Sequence, residues 1–301
     1  GLGDVYKRQP NNSARDLVRT KSDAVGLVVR GVSNPFYTDI IRAIERTITD
    51  AGFTMVMQQI GTCDDEVKCG AVMEREKRLQ GIVFLGGRFD YTPADLAMLN
   101  VPFVCCSYSN RYGTLIEGEY SSVSIADGDT AQQAVEELYR HGHRRIAALI
   151  SRPNDQSISQ LRYEGYVQAL ESHGIPVDPE LVISTGGFSA KDAYRAVQEK
   201  MAENVDFTAL FAIADSMAIG AMRALMDAGR RIPEDCSVIA IDGLELSAYI
   251  EPPLTTLCQP MEEMGRRSAE ILLDMVRHKG SHACELLPTT LRQGRSVAAP
   301  G

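Results

Sequence analysis

Two α/β lobes, each a parallel sheet with helices on both faces, are predicted by three features of this 301-residue sequence. Short apolar runs alternate regularly with amphipathic stretches from residue 24 to residue 241. The runs are continuously apolar, as in strands buried on both faces of a parallel sheet joined by right-handed crossovers. Nine of them are many for one open sheet, and the length exceeds one usual core. Two Rossmann-like lobes fit better than the alternative of one large sheet.

The strands are expected at residues 24–29, 54–57, 81–85, 102–106, 122–125, 146–150, 181–184, 209–213 and 237–241. Between them Phe36, Ile40, Ile44 and Ile48 recur every fourth residue, as do Ala134 with Leu138 and Tyr166 with Leu170, which marks helices with one apolar face. A helix over 216–228 follows the eighth strand. Residues 232–260 read as a turn at Pro233-Glu234-Asp235, a buried strand, an acid and glycine at its carboxyl end (Asp242-Gly243), and a return broken by Pro252-Pro253. A final helix over 261–275 gathers Met261, Met264, Ser268, Ile271, Leu272 and Met275 on one face. If it packs back on the first lobe, the chain crosses between lobes several times and leaves a cleft, where small ligands bind.

The amino end is different. Residues 1–9 lack periodicity and read as a non-native scar, and with no initiator Met the chain is expected to begin partway through a longer protein. Residues 10–18, PNNSARDLV, suit about two helical turns, too few to be stable without a partner. A polar linker follows over 19–23. Between Lys7 and Arg30 six bases face two acids, a local excess of +4 against a whole-chain charge of -9. That asymmetry suits either a polyanion contact or a solvated basic linker.

Composition narrows the function classes. Hydrophobic content of 44% and charged content of 24% suit a soluble globular protein, and there is neither a membrane-length apolar run nor an export signal, so the cytosol is the expected compartment. The seven cysteines, Cys63, Cys69, Cys105, Cys106, Cys236, Cys258 and Cys284, read as small hydrophobes in a reducing compartment rather than a disulfide or zinc framework. His141 and His143 read as turn residues. No metal site, cofactor motif or catalytic constellation stands out: there is no nucleophile elbow, Walker loop or dinucleotide fingerprint.

The carboxyl ends of strands are where open α/β sheets hold ligands. Those positions offer Asn34, Phe36 and Tyr37, then Gly86-Gly87-Arg88, then Asp127. In the second half they offer Arg162, Phe188, Asp215 and Asp242. Aromatics to stack, acids, and an arginine for bidentate bonds suit a hydroxyl-rich ligand such as a sugar or nucleoside. Each acid has helix capping as its structural alternative, and for Asp215 capping is the expected role. For Phe36 and Phe188 the alternative is core packing.

Taken together, the segments PNNSARDL, AVGLVVRGVSNPFY, ELYRHGHRRIAALI, LRYEGYVQAL, FAIADSMAIGAMRALMDAGRRIPEDCSVIAIDGLE, PPLTTLCQPMEEMG and LLPTTLRQGRSV resemble, in order from Pro10 to Val297, the LacI/GalR family of bacterial transcription regulators. The resemblance implies a type I periplasmic-binding-protein fold used as an effector sensor. It implies a first lobe of 22–151 plus 258–280, a second of 152–257 plus 281–297, and homodimerisation largely through the first. Family members begin with a helix-turn-helix headpiece, and nothing before Pro10 matches one. Residues 10–21 would be hinge helix and linker, with Asn11, Ala14, Arg15 and Leu17 contacting the operator minor groove, Leu17 as a wedge. Effector binding is implied for Asn34, Phe36, Asp127, Arg162, Phe188 and Asp242. Ala214 stands where many sugar-binding members have a polar residue, so the effector class stays open between a sugar, which is favoured, and a nucleoside or purine. A transporter's solute-binding protein and a sugar-modifying enzyme are the rival functions.

Overall fold

A computed structural model describes residues 23–31, 34–154 and 156–301. The expected hinge segment, including Asn11, Ala14, Arg15 and Leu17, lies outside the described residues.

The first lobe begins with β1 (Ala24–Arg30), α1 (Tyr37–Asp50), β2 (Thr54–Ile60), α2 (Glu66–Lys77), β3 (Ile82–Leu85), the short α3 (Pro93–Leu96), β4 (Phe103–Cys106) and β5 (Ser122–Ser124). The second is built from α4 (Asp127–Arg140), β6 (Ile146–Ile150), α5 (Ile158–Ser172), β7 (Val182–Ser184), α6 (Ala190–Ala202), β8 (Ala209–Ala212), α7 (Asp215–Asp227), β9 (Ser237–Asp242) and β10 (Thr255–Cys258). The chain then returns through α8 (Met261–His278) and β11 (Cys284–Leu286) to end on β12 (Thr290–Arg292). The two six-stranded sheets run β11-β5-β4-β3-β1-β2 and β12-β10-β9-β8-β6-β7. Every pairing is parallel except β10 with β12.

Residues follow the periods their sequence predicts. In α1 the residues Ile40, Ala43, Ile44 and Ile48 are buried, and the three isoleucines share one first-lobe core with Met264, Leu272 and Met275 of α8. Each large aliphatic side chain buried there contributes about 1.5–3 kcal/mol. Asp65 caps α2 by accepting from the Lys68 amide at 3.0 Å, and Thr92 with Asp95 forms a capping box on α3. The second lobe has one core spanning Leu138, Tyr166, Phe207 and Phe211.

The expected lobe limits need correction. The strand 146–150, assigned to the first lobe, hydrogen-bonds to β7 and β8 in the second sheet. The segment 281–297, assigned whole to the second lobe, is divided, because β11 pairs with β5 and β12 with β10. The physical reason is that a strand belongs where its edge is paired, which its own sequence does not specify. The crossings therefore fall after β5, after β10 and between β11 and β12. Of the cysteines, Cys105, Cys106 and Cys236 are buried as expected, whereas Cys63 and Cys284 are exposed.

Both lobes touch on either side of the crossings. Leu244, in the turn after β9, packs into the first-lobe core beside Phe36 and Ile40. Leu161 of α5 joins the first-lobe cluster of Phe89, Tyr91 and Tyr108, and the Tyr112 hydroxyl donates to Glu164 at 3.2 Å.

Candidate effector site

Strand order reverses between β1 and β3 in one sheet and between β6 and β8 in the other. The crevice outside the carboxyl ends at such a switch point is where open α/β sheets bind ligands. Arg162 reaches that point in the second lobe, where its Nη1 donates to the carbonyl of Ile213, just past β8, at 2.5 Å. Its Nε and Nη2 both lie 2.9 Å from Asp127 Oδ1, and Nη1 lies 3.4 Å from Asp242 Oδ1.

Backbone geometry brings these groups together. Gly165 is one helical turn from Arg162, and a Cβ there would stand 2.1 Å from the Gly128 carbonyl. Lacking one, α5 closes on α4 and Arg162 meets Asp127. Asp242 ends β9 at φ 141°, a conformation that L residues rarely adopt. Strain of this kind persists only where neighbours enforce it. Here Gln259, at the second crossing, donates from Nε2 to Asp242 Oδ1 and from its backbone amide to the Asp242 carbonyl, both at 2.9 Å. Gly243 follows at φ 82°, and a Cβ there would stand 2.5 Å from Cys258 Sγ.

Asp215 is not the helix cap expected of it. Asp215 Oδ2 accepts from the Leu244 amide at 2.8 Å and the Ser247 hydroxyl at 2.6 Å, and its Oδ1 from the Thr256 hydroxyl at 2.5 Å. Arg292 braces the same turn through the carbonyl of Leu244 at 3.0 Å and the hydroxyl of Ser247 at 2.5 Å. Asp215 therefore fixes the turn that carries Asp242. Gln259 and Arg292 escaped sequence reasoning because their partners are remote in the chain.

In the first lobe, Phe36 belongs to the core and is only 3% exposed. The next residue, Tyr37, is half-buried against the same core, and Asp242 and Arg162 of the second lobe act electrostatically on its hydroxyl. The Asn34 side-chain oxygen accepts from the Phe36 amide at 3.1 Å and fixes the entry to α1. Burial, together with the charges of Cys106 and Asp242, pushes the Tyr37 hydroxyl up to about 12, while Arg30 and Arg162 oppose the rise. Phe188 lies half-buried against the second-lobe core, its carbonyl accepting from Ser216 Oγ at 2.8 Å.

Burial raises the Asp242 carboxyl to about 7 from its ordinary 3.8, with Arg162 opposing and Asp215 adding to the rise. Between about pH 4 and pH 7 the folded protein then holds a proton that the unfolded chain has released, so this group stabilises at the acid end and its contribution is lost as pH rises through 7. The effect is on the order of a few kcal/mol. His143 and His282, both lowered by burial, act oppositely as pH falls through their range. The comparison of wild type with Asp242→Asn isolates the carboxyl: urea denaturation at pH 5 and pH 8 is expected to show a smaller acid advantage in the variant. Equal pH dependence of the two proteins would refute it.

The family model for a periplasmic binding protein-like domain matches residues 135–297. The HTH-type transcriptional regulator MalR of Clostridium butyricum is 36% identical over 94% of this chain and 84% of its own length. The HTH-type transcriptional repressor CytR of Escherichia coli (strain K12) is 32% identical over 92% of this chain and 82% of its own. The solved complex of the transcriptional regulator CelR with cellobiose superposes with a TM-score of 0.81 at 29% identity, covering 97% of this chain and 92% of that one. The operator-bound lac repressor dimer, at 24% identity and a TM-score of 0.81, shares the fold. These relatives are transcription regulators rather than enzymes or transport proteins, and the chain belongs to the LacI/GalR family of transcriptional regulators.

Proposed function

We propose that this chain is the effector-sensing and dimerisation core of a cytoplasmic repressor, and that its effector is a sugar bound in the interlobe cleft. The observation that carries this is Arg162, 2% exposed and bridged to two carboxylates from different strand ends. An arginine with flanking acids supplies donors and acceptors together, as vicinal hydroxyls require. The 3.4 Å contact between Arg162 and Asp242 is the longest in the set, and a sugar hydroxyl replaces it by accepting from one and donating to the other. Asn34 and Tyr37 line the first-lobe wall in this proposal, Tyr37 replacing Phe36, and Asp127 and Phe188 line the second. Closure around the sugar changes the spacing of two hinge segments in a dimer on operator DNA, and the coupling is reciprocal.

A thermal-shift screen of sugars, nucleosides and purines tests this. A sugar at 100 times its dissociation constant is expected to add about 2.7 kcal/mol of stability. A shift with a nucleoside or purine and none with any sugar would reject the sugar while keeping the sensor.

A further inference from the structure

The connection from β4 to β5, residues 107–121, has no helix or strand of its own. Connections longer than about 12–15 residues without such elements are uncommon in compact domains, and this one stands at that limit, where a loop usually carries a function. Its middle is stiff. The Tyr112 and Thr114 amides donate to the carbonyls of Phe89 and Tyr91 at 3.0 and 2.9 Å, which fastens the loop to the segment after β3. Asn110 closes the turn: its Nδ2 donates to the Leu115 carbonyl at 2.6 Å, and its Oδ1 accepts from the Tyr108 hydroxyl at 3.0 Å. A Cβ on Gly113 would stand 2.5 Å from the Tyr91 carbonyl oxygen, so glycine lets the two segments lie this close. A rim fastened at so many points transmits a displacement instead of absorbing it.

This rim meets the second lobe at α5. Leu161 shares the buried cluster of Phe89, Tyr91 and Tyr108, and the Tyr112 hydroxyl donates to Glu164 Oε1 at 3.2 Å. Gln160, one turn earlier on α5, donates from Nε2 to the same oxygen at 3.3 Å and holds the carboxylate toward the rim. Hydroxyl-to-oxygen bonds centre on about 2.7–2.8 Å, so the bond from Tyr112 is slack. Both of its partners are half-buried, and water replaces it when it opens. On the other face of the first sheet the lobes touch through the apolar Leu244. The polar contact is therefore the one that is easily broken and remade. Arg162 lies between Leu161 and Glu164 on α5, so the helix gripped by the rim is also the one that holds Asp127 and Asp242.

We infer that Tyr112 and Glu164 form an interlobe latch that sets the balance between closed and open lobes. In the closed form the bond is made; in the open form the phenol and the carboxylate are hydrated separately. One hydrogen bond to a charged group shifts such an equilibrium several-fold. The closed fraction scales the apparent affinity of any ligand that needs it, so the latch tunes the sensor from outside the ligand site. It requires only the two-lobed fold, whatever the chemistry of the effector.

The distance between the lobes tests this. Double electron–electron resonance reads it from spin labels on non-canonical residues placed at the exposed positions Cys63 and Lys191, beyond the carboxyl ends of the outer strands β2 and β7. Labelled chain is diluted with unlabelled chain so that distances within one chain are read. A dominant short distance is expected in wild type. Tyr112→Phe, which keeps the ring and loses only a half-buried hydroxyl, and Glu164→Ala are each expected to raise the ratio of long to short distances about three- to tenfold. The double variant is expected to add nothing to Glu164→Ala, because both changes remove the same bond. Distance distributions that coincide in all four proteins, a double variant with additive effects, or a wild type already at the long distance overturns the latch.

Discussion

Arg162→Ala is expected to abolish effector binding and to cost about 3–5 kcal/mol of folding stability, the usual penalty for stripping one partner from a buried ion pair. The burial of Arg162 makes this a change to the fold as well as to the site. Its guanidinium is 2% exposed and is the counter-charge of Asp127 and Asp242, whose carboxyls burial already raises. Without it both acids must protonate or draw in water. The loss is therefore expected to be smaller at pH 5 than at pH 8. Urea denaturation reads the stability and calorimetry the binding. Unchanged affinity for the sugar found in the screen would exclude Arg162 from the site.

Asp215→Ala is expected to cost a similar amount, about 3–5 kcal/mol, since it strips a buried carboxylate that accepts three hydrogen bonds and faces Arg292 at 3.9 Å. Asp215 is a positioning residue, which its second effect tests. Freed from Asp215, the turn over 243–247 no longer holds Asp242 at its strained φ, so effector affinity falls about tenfold. Asp215→Asn, which can still accept part of this network, is expected to recover much of both losses. Full stability in Asp215→Ala would refute the clamp.

How far the sequence predicts this arrangement depends on the range of the interaction. Strands such as 146–150 were legible because burial on both faces writes an unbroken apolar run, and the α1 face because Ile40, Ile44 and Ile48 keep helical spacing. By contrast β11 and β12 have three residues each and are largely exposed at sheet edges, so no apolar pattern marks them. Asp127, Arg162 and Asp242 were legible as candidates from position at strand and helix ends. Their mutual contacts were not, because each spans 35 or more residues. Phe36 and Tyr37 differ by one residue at a helix start, where a small rotation decides which ring is buried more deeply. Asp215 misled because a helix-opening aspartate has the same local sequence whether it caps its own helix or clamps a distant turn.

The return of the chain through α8, β11 and β12 also sets a timetable. Strands β1 to β5 of the first lobe are complete by Ser124, yet the core formed by Ile40, Ile44 and Leu85 closes only against Met264 and Leu272. At about 5–20 residues per second of synthesis, that face of α1 waits roughly 7–30 s for its covering helix. During that interval the nascent lobe presents an apolar stripe to the cell, and chaperone occupancy of ribosome-bound chains should drop only once residues beyond α8 have emerged.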